Sequence, residues 1–125
     1  MRHLAWLPIC VVLATLAGAC APGPGENSIQ NRNEAISLFQ VGKIAKAKAM
    51  LDRSLSWNPA DPEALYYMGR IACTEQEWEK AIGYFDQCLN ADPAFPTAKQ
   101  WLMHAEGASG LGTKLRTNAN KPPKP

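Results

Sequence analysis

Sliding the chain 34 residues along itself superposes Lys46 on Lys80, Ala47 on Ala81, Asp52 on Asp86, Leu55 on Leu89 and Pro59 on Pro93, with no gap. The same shift brings Ala60 onto Ala94, Pro62 onto Pro96 and Ala64 onto Ala98. It also puts similar residues in step: Ala35 with Gly69, Ile44 with Trp78, and Leu51 with Phe85. A fixed period of this length marks a stacked repeat, in which each unit hides its apolar side only against its neighbours. A closed globule around one central core does not repeat in this way. Length agrees, because 125 residues make one small domain, whereas barrel or two-half dinucleotide architectures need about 200 residues or more.

Within each unit the apolar spacing is helical. Leu65, Met68, Gly69 and Ala72 follow i, i+3, i+4, i+7, and Ala81, Phe85, Cys88 and Leu89 make a similar stripe. Valine, a strand former, occurs after the leader only as Val41, and Ala, Leu, Lys, Glu and Gln dominate, so the fold class is all-α. Asp61 before Pro62 predicts an N-cap with proline at the first helical position. Asn58-Pro59 and Asp92-Pro93 close the preceding helices, since a residue before proline is pushed out of the α region. Gly42 and the polar Thr74–Glu77 stretch supply the turns inside each pair. The pattern predicts helices over 28–41, 44–57, 62–74, 78–90 and 96–106.

On these residues the chain resembles the tetratricopeptide repeat (TPR) family. The second unit carries the fuller signature: Leu65 in the usual Trp slot, Met68-Gly69 as the Leu-Gly pair, Trp78 as the inter-helix aromatic, then Ala81, Phe85 and Pro93. The first unit fits through Ala35, Gly42, Ile44, Ala47, Leu51 and Pro59, while Asn31 and Glu34 stand in normally apolar slots. A terminal, half-exposed helix tolerates that polarity. The resemblance implies a right-handed α-solenoid of about two and a half helix hairpins: a first unit over 28–61, a second over 62–95 and a capping helix over 96–107. The remaining tail, 108–125, is polar and proline-rich and is expected to be disordered.

The N-terminus reads as an address. Met1-Arg2-His3 is a short basic start, Leu4–Leu16 an apolar run, and Ala17-Gly18-Ala19 a small-residue close, the layout of a signal peptide over 1–19. Cys20 directly after the small residues resembles the lipobox of bacterial lipoproteins, with Ala17 where leucine is usual. That resemblance implies acylation of Cys20 and a flexible Pro/Gly tether over 20–27. In a Gram-negative cell, Ala21 rather than Asp after the acylated Cys implies the outer membrane, facing the periplasm. Ala17-Gly18-Ala19 also suits ordinary signal peptidase, which would release a soluble periplasmic or secreted protein.

An exported chain meets an oxidising compartment, so Cys73 and Cys88 are candidates to pair. Their predicted places in one helix hairpin put them at levels roughly 12 Å apart, and bridged Cα atoms lie within about 7 Å. Two free thiols are therefore expected, with Cys88 in the core.

The net charge is +2 and falls to +1 once Arg2 leaves with the leader, too little for a nucleic-acid footprint. His104 is the one histidine outside the leader. With Cys73 it makes only a pair, so neither a metal nor a cofactor is expected. Lys43, Lys46, Lys48 and Arg53 share one second helix. They read as a solvated outer face or, alternatively, as a contact for anionic lipid.

In the TPR family, ligands lie in a groove lined by the first helix of each pair. That resemblance places Arg32, Ile36 and Phe39 of the first unit, Glu63, Tyr66, Arg70 and Cys73 of the second, and Thr97, Gln100 and His104 of the cap in the groove. Aromatic and arginine side chains there suit a peptide. The family's clamp for C-terminal carboxylates needs two lysines, an arginine and two asparagines. The corresponding slots hold Arg32, Ile36, Tyr67, Thr97 and Trp101, so that specificity is absent. The expected function is a non-enzymatic adaptor for a protein or peptide partner in the cell envelope, held to the membrane by lipid; the resemblance suggests pilus or secretion assembly. The alternatives are a self-assembling structural protein, since two and a half units sit near the minimum for a stack, and a redox or enzymatic role at Cys73 and His104.

Overall fold

Each apolar stripe read from the sequence becomes a helix in the computed structural model, which describes residues 23–110. The helices are α1 (Pro24–Gln40), α2 (Ile44–Trp57), α3 (Pro62–Thr74), α4 (Trp78–Ala91) and α5 (Ala98–Ser109). The leader, Cys20 with the two residues after it, and positions 111–125 lie outside the described residues. There is no strand among the described residues, and no described helix is long and apolar enough to cross a membrane.

Two boundaries differ from expectation. The tether was expected to run to residue 27, yet α1 begins at Pro24. Proline is preorganised for the first helical turn, Asn27 N–H reaches Gly23 O at 3.0 Å, and the Asn31 side-chain amide donates to Asn27 O. Packing fixes the extra turn. Ser28 is buried against Ser54 of α2, its hydroxyl donating to Ser54 O at 3.3 Å while the Ser54 hydroxyl donates to Ser28 O at 2.9 Å. Two reciprocal bonds satisfy both hydroxyls, which is what a buried polar pair requires.

The capping helix was expected from residue 96 to about 107, but α5 starts at Ala98 and runs to Ser109. The start is late because Phe95 stands one period after Asp61. Asp61 Oδ1 accepts the Glu63 and Ala64 N–H groups at 3.1 and 3.2 Å and holds the first turn of α3, and a phenylalanine side chain cannot accept. Gly107 lies inside the helix, and Gly110 ends it in the left-handed region at φ 72°. Positions 108 and 109, assigned to the tail, are therefore helical.

The repeat is visible in three dimensions. Ala47 and Ala81, Leu51 and Phe85, and Ser54 and Cys88 are pairs one period apart, and all six are fully buried. All but Ser54, which bonds to Ser28, divide between two adjoining apolar clusters. One is centred on Ala35, Ala47, Leu51, Ala64, Met68 and Ile71, the other on Leu65, Ala72, Ala81, Phe85, Cys88 and Ala105, with Leu55, Tyr67 and Tyr84 packed against both. Consecutive helices pack on one another, and the first helices of successive units also touch, α1 on α3 and α3 on α5. This is an all-α, solenoid-type stack.

Gly42 and Gln76, again one period apart, both turn the chain with positive φ, 80° and 59°. Glycine adopts that conformation freely; a side chain makes it cost about 1 kcal/mol. Gln76→Gly is expected to stabilise the protein by about 0.5–1 kcal/mol, read as a higher urea midpoint with unchanged slope.

Candidate peptide-binding face

The three first helices, α1, α3 and α5, form one layer, and the residues expected in the groove lie on it, except Thr97, which stands just before α5. Arg70 stands at its centre. Its guanidinium carbon lies 4.0 Å over the Trp101 ring, 5.4 Å from the Phe39 ring and 5.7 Å from the Tyr66 ring. Arg70 Nη1 donates to the Tyr66 hydroxyl at 2.9 Å. One cation therefore touches an aromatic ring from each of the three first helices, an arrangement that stacking and cation–π attraction both favour. Phe39 also meets Tyr67 edge-on at 5.4 Å, joining the first unit to the second.

Tyr66 is not the surface contact that the groove pattern implies. It is only 7% exposed, wedged among Tyr67, Phe85 and Phe95 at centroid distances of 5.3, 6.1 and 5.1 Å. Its role is to pack the core and orient Arg70.

Arg32 is likewise committed inside the protein. Its Nη1 pairs with Asp61 Oδ2 at 3.0 Å, and its Nε lies 3.2 Å from Glu63 Oε2. The Nε contact is a close charge pair without hydrogen-bond alignment, so that N–H is left unsatisfied although buried. Asp61 thus caps α3 with one oxygen and binds α1 through Arg32 with the other. Neither Arg32 nor Glu63 remains as a free recognition group. Ile36 is half-buried on α1.

Gln100 and His104 are exposed on α5 and, with Trp101, line an open pocket of 270 Å³. The His104 ring meets Trp101 edge-on at 5.6 Å and Trp78 at 6.1 Å. Trp101, which the sequence puts in a clamp slot but not among the expected peptide contacts, is the added residue of this face. Its signal was adjacency: it follows Gln100 directly and falls one period after Tyr67.

Both described cysteines are free. Burial pushes the half-buried Cys73 thiol up, against the opposing pull of Arg70. The fully buried Cys88 thiol is pushed up to about 11, chiefly by desolvation and then by Asp92 and Asp61. Since the thiolate is the reactive form, Cys88 should resist a thiol reagent at pH 8 until the protein unfolds, with Cys73 reacting more slowly than an unfolded thiol. Mass spectrometry of the labelled protein checks this. No group of three or more His, Cys, Asp or Glu among the described residues could hold a metal ion. On the outer side, Lys48 of the basic cluster is paired with Glu75 at 2.9 Å, an exposed contact worth little.

The tetratricopeptide repeat family profile matches residues 38–105, over half of the chain. The chain belongs to the tetratricopeptide repeat family. A comparison with curated proteins finds no match. TPR repeats are generally non-catalytic modules for protein–protein interaction, and the matched span runs from the end of α1 through most of α5. It contains Phe39, Arg70 and Trp101, so the Arg70 cluster is built from TPR first helices.

Proposed function

We propose that the protein is a non-enzymatic adaptor, anchored by lipid on Cys20, that presents its first-helix face to a protein partner in the cell envelope. The observation that carries the reading is the Arg70 cluster: a half-buried cation and exposed Gln100 and His104 on the helix layer that TPR modules turn to ligands. The anchor is supported by the basic start, apolar run and small residues before Cys20. With α1 starting at Pro24, only Ala21, Pro22 and Gly23 stand between that cysteine and the stack. At no more than about 3.5 Å per residue, the stack would sit against the membrane rather than range away from it. Ala21 fits outer-membrane retention, and assembly of a pilus or secretion machine is the setting that suits such a module.

Metabolic labelling with a palmitate analogue should mark the wild type and not Cys20→Ala; equal absence of label in both removes the anchor. Pull-down from envelope extract should lose partners with Arg70→Gln plus Gln100→Ala. Unchanged recovery removes the face. Tyr66 is unsuitable for this test because its loss would disturb the core.

One observation favours a second reading, self-assembly. Met103 falls one period after Gly69 and two after Ala35, both buried against the second helix of their own unit, yet Met103 is 64% exposed because no such helix follows α5 among the described residues. A second copy could cover it. Sedimentation at several concentrations decides, since a strict monomer excludes it. The redox reading of Cys73 and His104 loses its support from the raised thiol.

A further inference from the structure

We infer that Arg70 is the receptor for an acidic side chain inside a partner peptide, with the residue next to that acid seated against Trp101, Gln100 and His104. The inference rests on the adaptor reading and names what the adaptor recognises.

Two arginines stand on this face. Arg32 is neutralised within the chain by Asp61 and Glu63. The Arg70 guanidinium meets no carboxylate among the described residues, and its one hydrogen bond there is from Nη1 to the Tyr66 hydroxyl. A half-buried guanidinium without an anion has lost part of its hydration and gained only ring faces and one neutral acceptor in return. The guanidinium carbon lies 4.0 Å over the Trp101 ring and Nη1 is taken by the Tyr66 hydroxyl, so Nε and Nη2, the pair whose fork geometry matches a carboxylate, have no hydrogen-bond partner among the described residues. Because the side chain is already held by Tyr66 and three rings, little rotamer freedom remains to be lost on binding.

The source of the carboxylate follows from what surrounds it. A chain terminus needs several cations and amides converging on it, and the one basic residue in the clamp slots, Arg32, is engaged by its own acids. One fork suits one Asp or Glu side chain. Beside it, the 270 Å³ pocket of Gln100, Trp101 and His104 offers an indole for the neighbouring side chain and an amide for the peptide backbone.

The test uses the folded protein and a library of peptides blocked at both ends, with one position fixed in turn as Asp, Glu, Asn or Gln. Binding should select Asp or Glu at one position, and changing that acid to its amide should weaken binding about tenfold or more. Arg70→Gln should remove the selection while helical circular dichroism is retained, and Arg70→Lys should not restore it. The acid-to-amide exchange leaves the protein untouched, so it stands even if an Arg70 variant folds poorly. Peptides that bind this face with no acidic preference overturn the inference and leave the adaptor reading intact. A requirement for a free C-terminus, or Arg70-dependent self-association in place of peptide binding, also overturns it. No binding by any peptide overturns both.

Discussion

Phe85→Ala is expected to lower the free energy of unfolding by about 3–5 kcal/mol, close to the whole stability of a small domain at the low end of about 5 kcal/mol. Phe85 is fully buried. Its ring lies so close to α3 that a Cβ on Gly69 would stand 2.6–2.9 Å from three of its atoms. The first unit solves the same packing problem with Ala35 and Leu51, one methyl more on the first helix and a smaller side chain on the second. Gly69→Ala alone should therefore destabilise: overpacking costs about 1–3 kcal/mol, only partly offset by about 1 kcal/mol of helix propensity. The double variant Gly69→Ala/Phe85→Leu copies the first unit's pair and should be more stable than the sum of the single effects by about 1 kcal/mol or more. Urea melts of the four proteins measure this, and simple additivity would mean that the two positions are not packed as described.

Asp61→Ala should cost about 2–4 kcal/mol. Three donors converge on this buried carboxylate: the Glu63 and Ala64 N–H groups of the α3 cap and Arg32 from α1. Asp61→Asn keeps a cap acceptor and removes the charge, so it should cost clearly less. Pairing each with Arg32→Met separates the cap from the inter-unit tie: once Arg32 is gone, Asp61→Asn should become nearly neutral and Asp61→Ala should still carry the cap loss. Equal costs in both backgrounds would show that Arg32 and Asp61 are not coupled.

The architecture was legible because it rests on local pattern repeated. Two cycles of Ala, a large apolar residue and Pro at fixed spacing specify helix pairs, and the positions they mark, Ala47/Ala81 and Leu51/Phe85, are the ones found buried. What escaped depends on contacts between units. Ser28 has no apolar signal and is buried only because Ser54 meets it, which is why the first turn of α1 read as tether. Arg32 and Tyr66 have the composition of a binding surface, and nothing local says that Asp61, 29 residues away, takes the first or that Phe85 and Phe95 enclose the second. Arg70 was placed on the first-helix layer, where the structure has it; its platform, Trp101, belongs to another helix and came into view only with the packing of α3 on α5.

The central claim is that partners meet the first-helix face at Arg70. Its most direct test is site-specific photo-crosslinking in the native envelope, with the reactive side chain placed at exposed Gln100 on α5 or, as the outer-face control, at exposed Asp86 on α4. The account predicts adducts to another protein from position 100 that disappear in the Arg70→Gln background, and none from position 86. Adducts from position 86 alone, or adducts from position 100 that persist without Arg70, would contradict it.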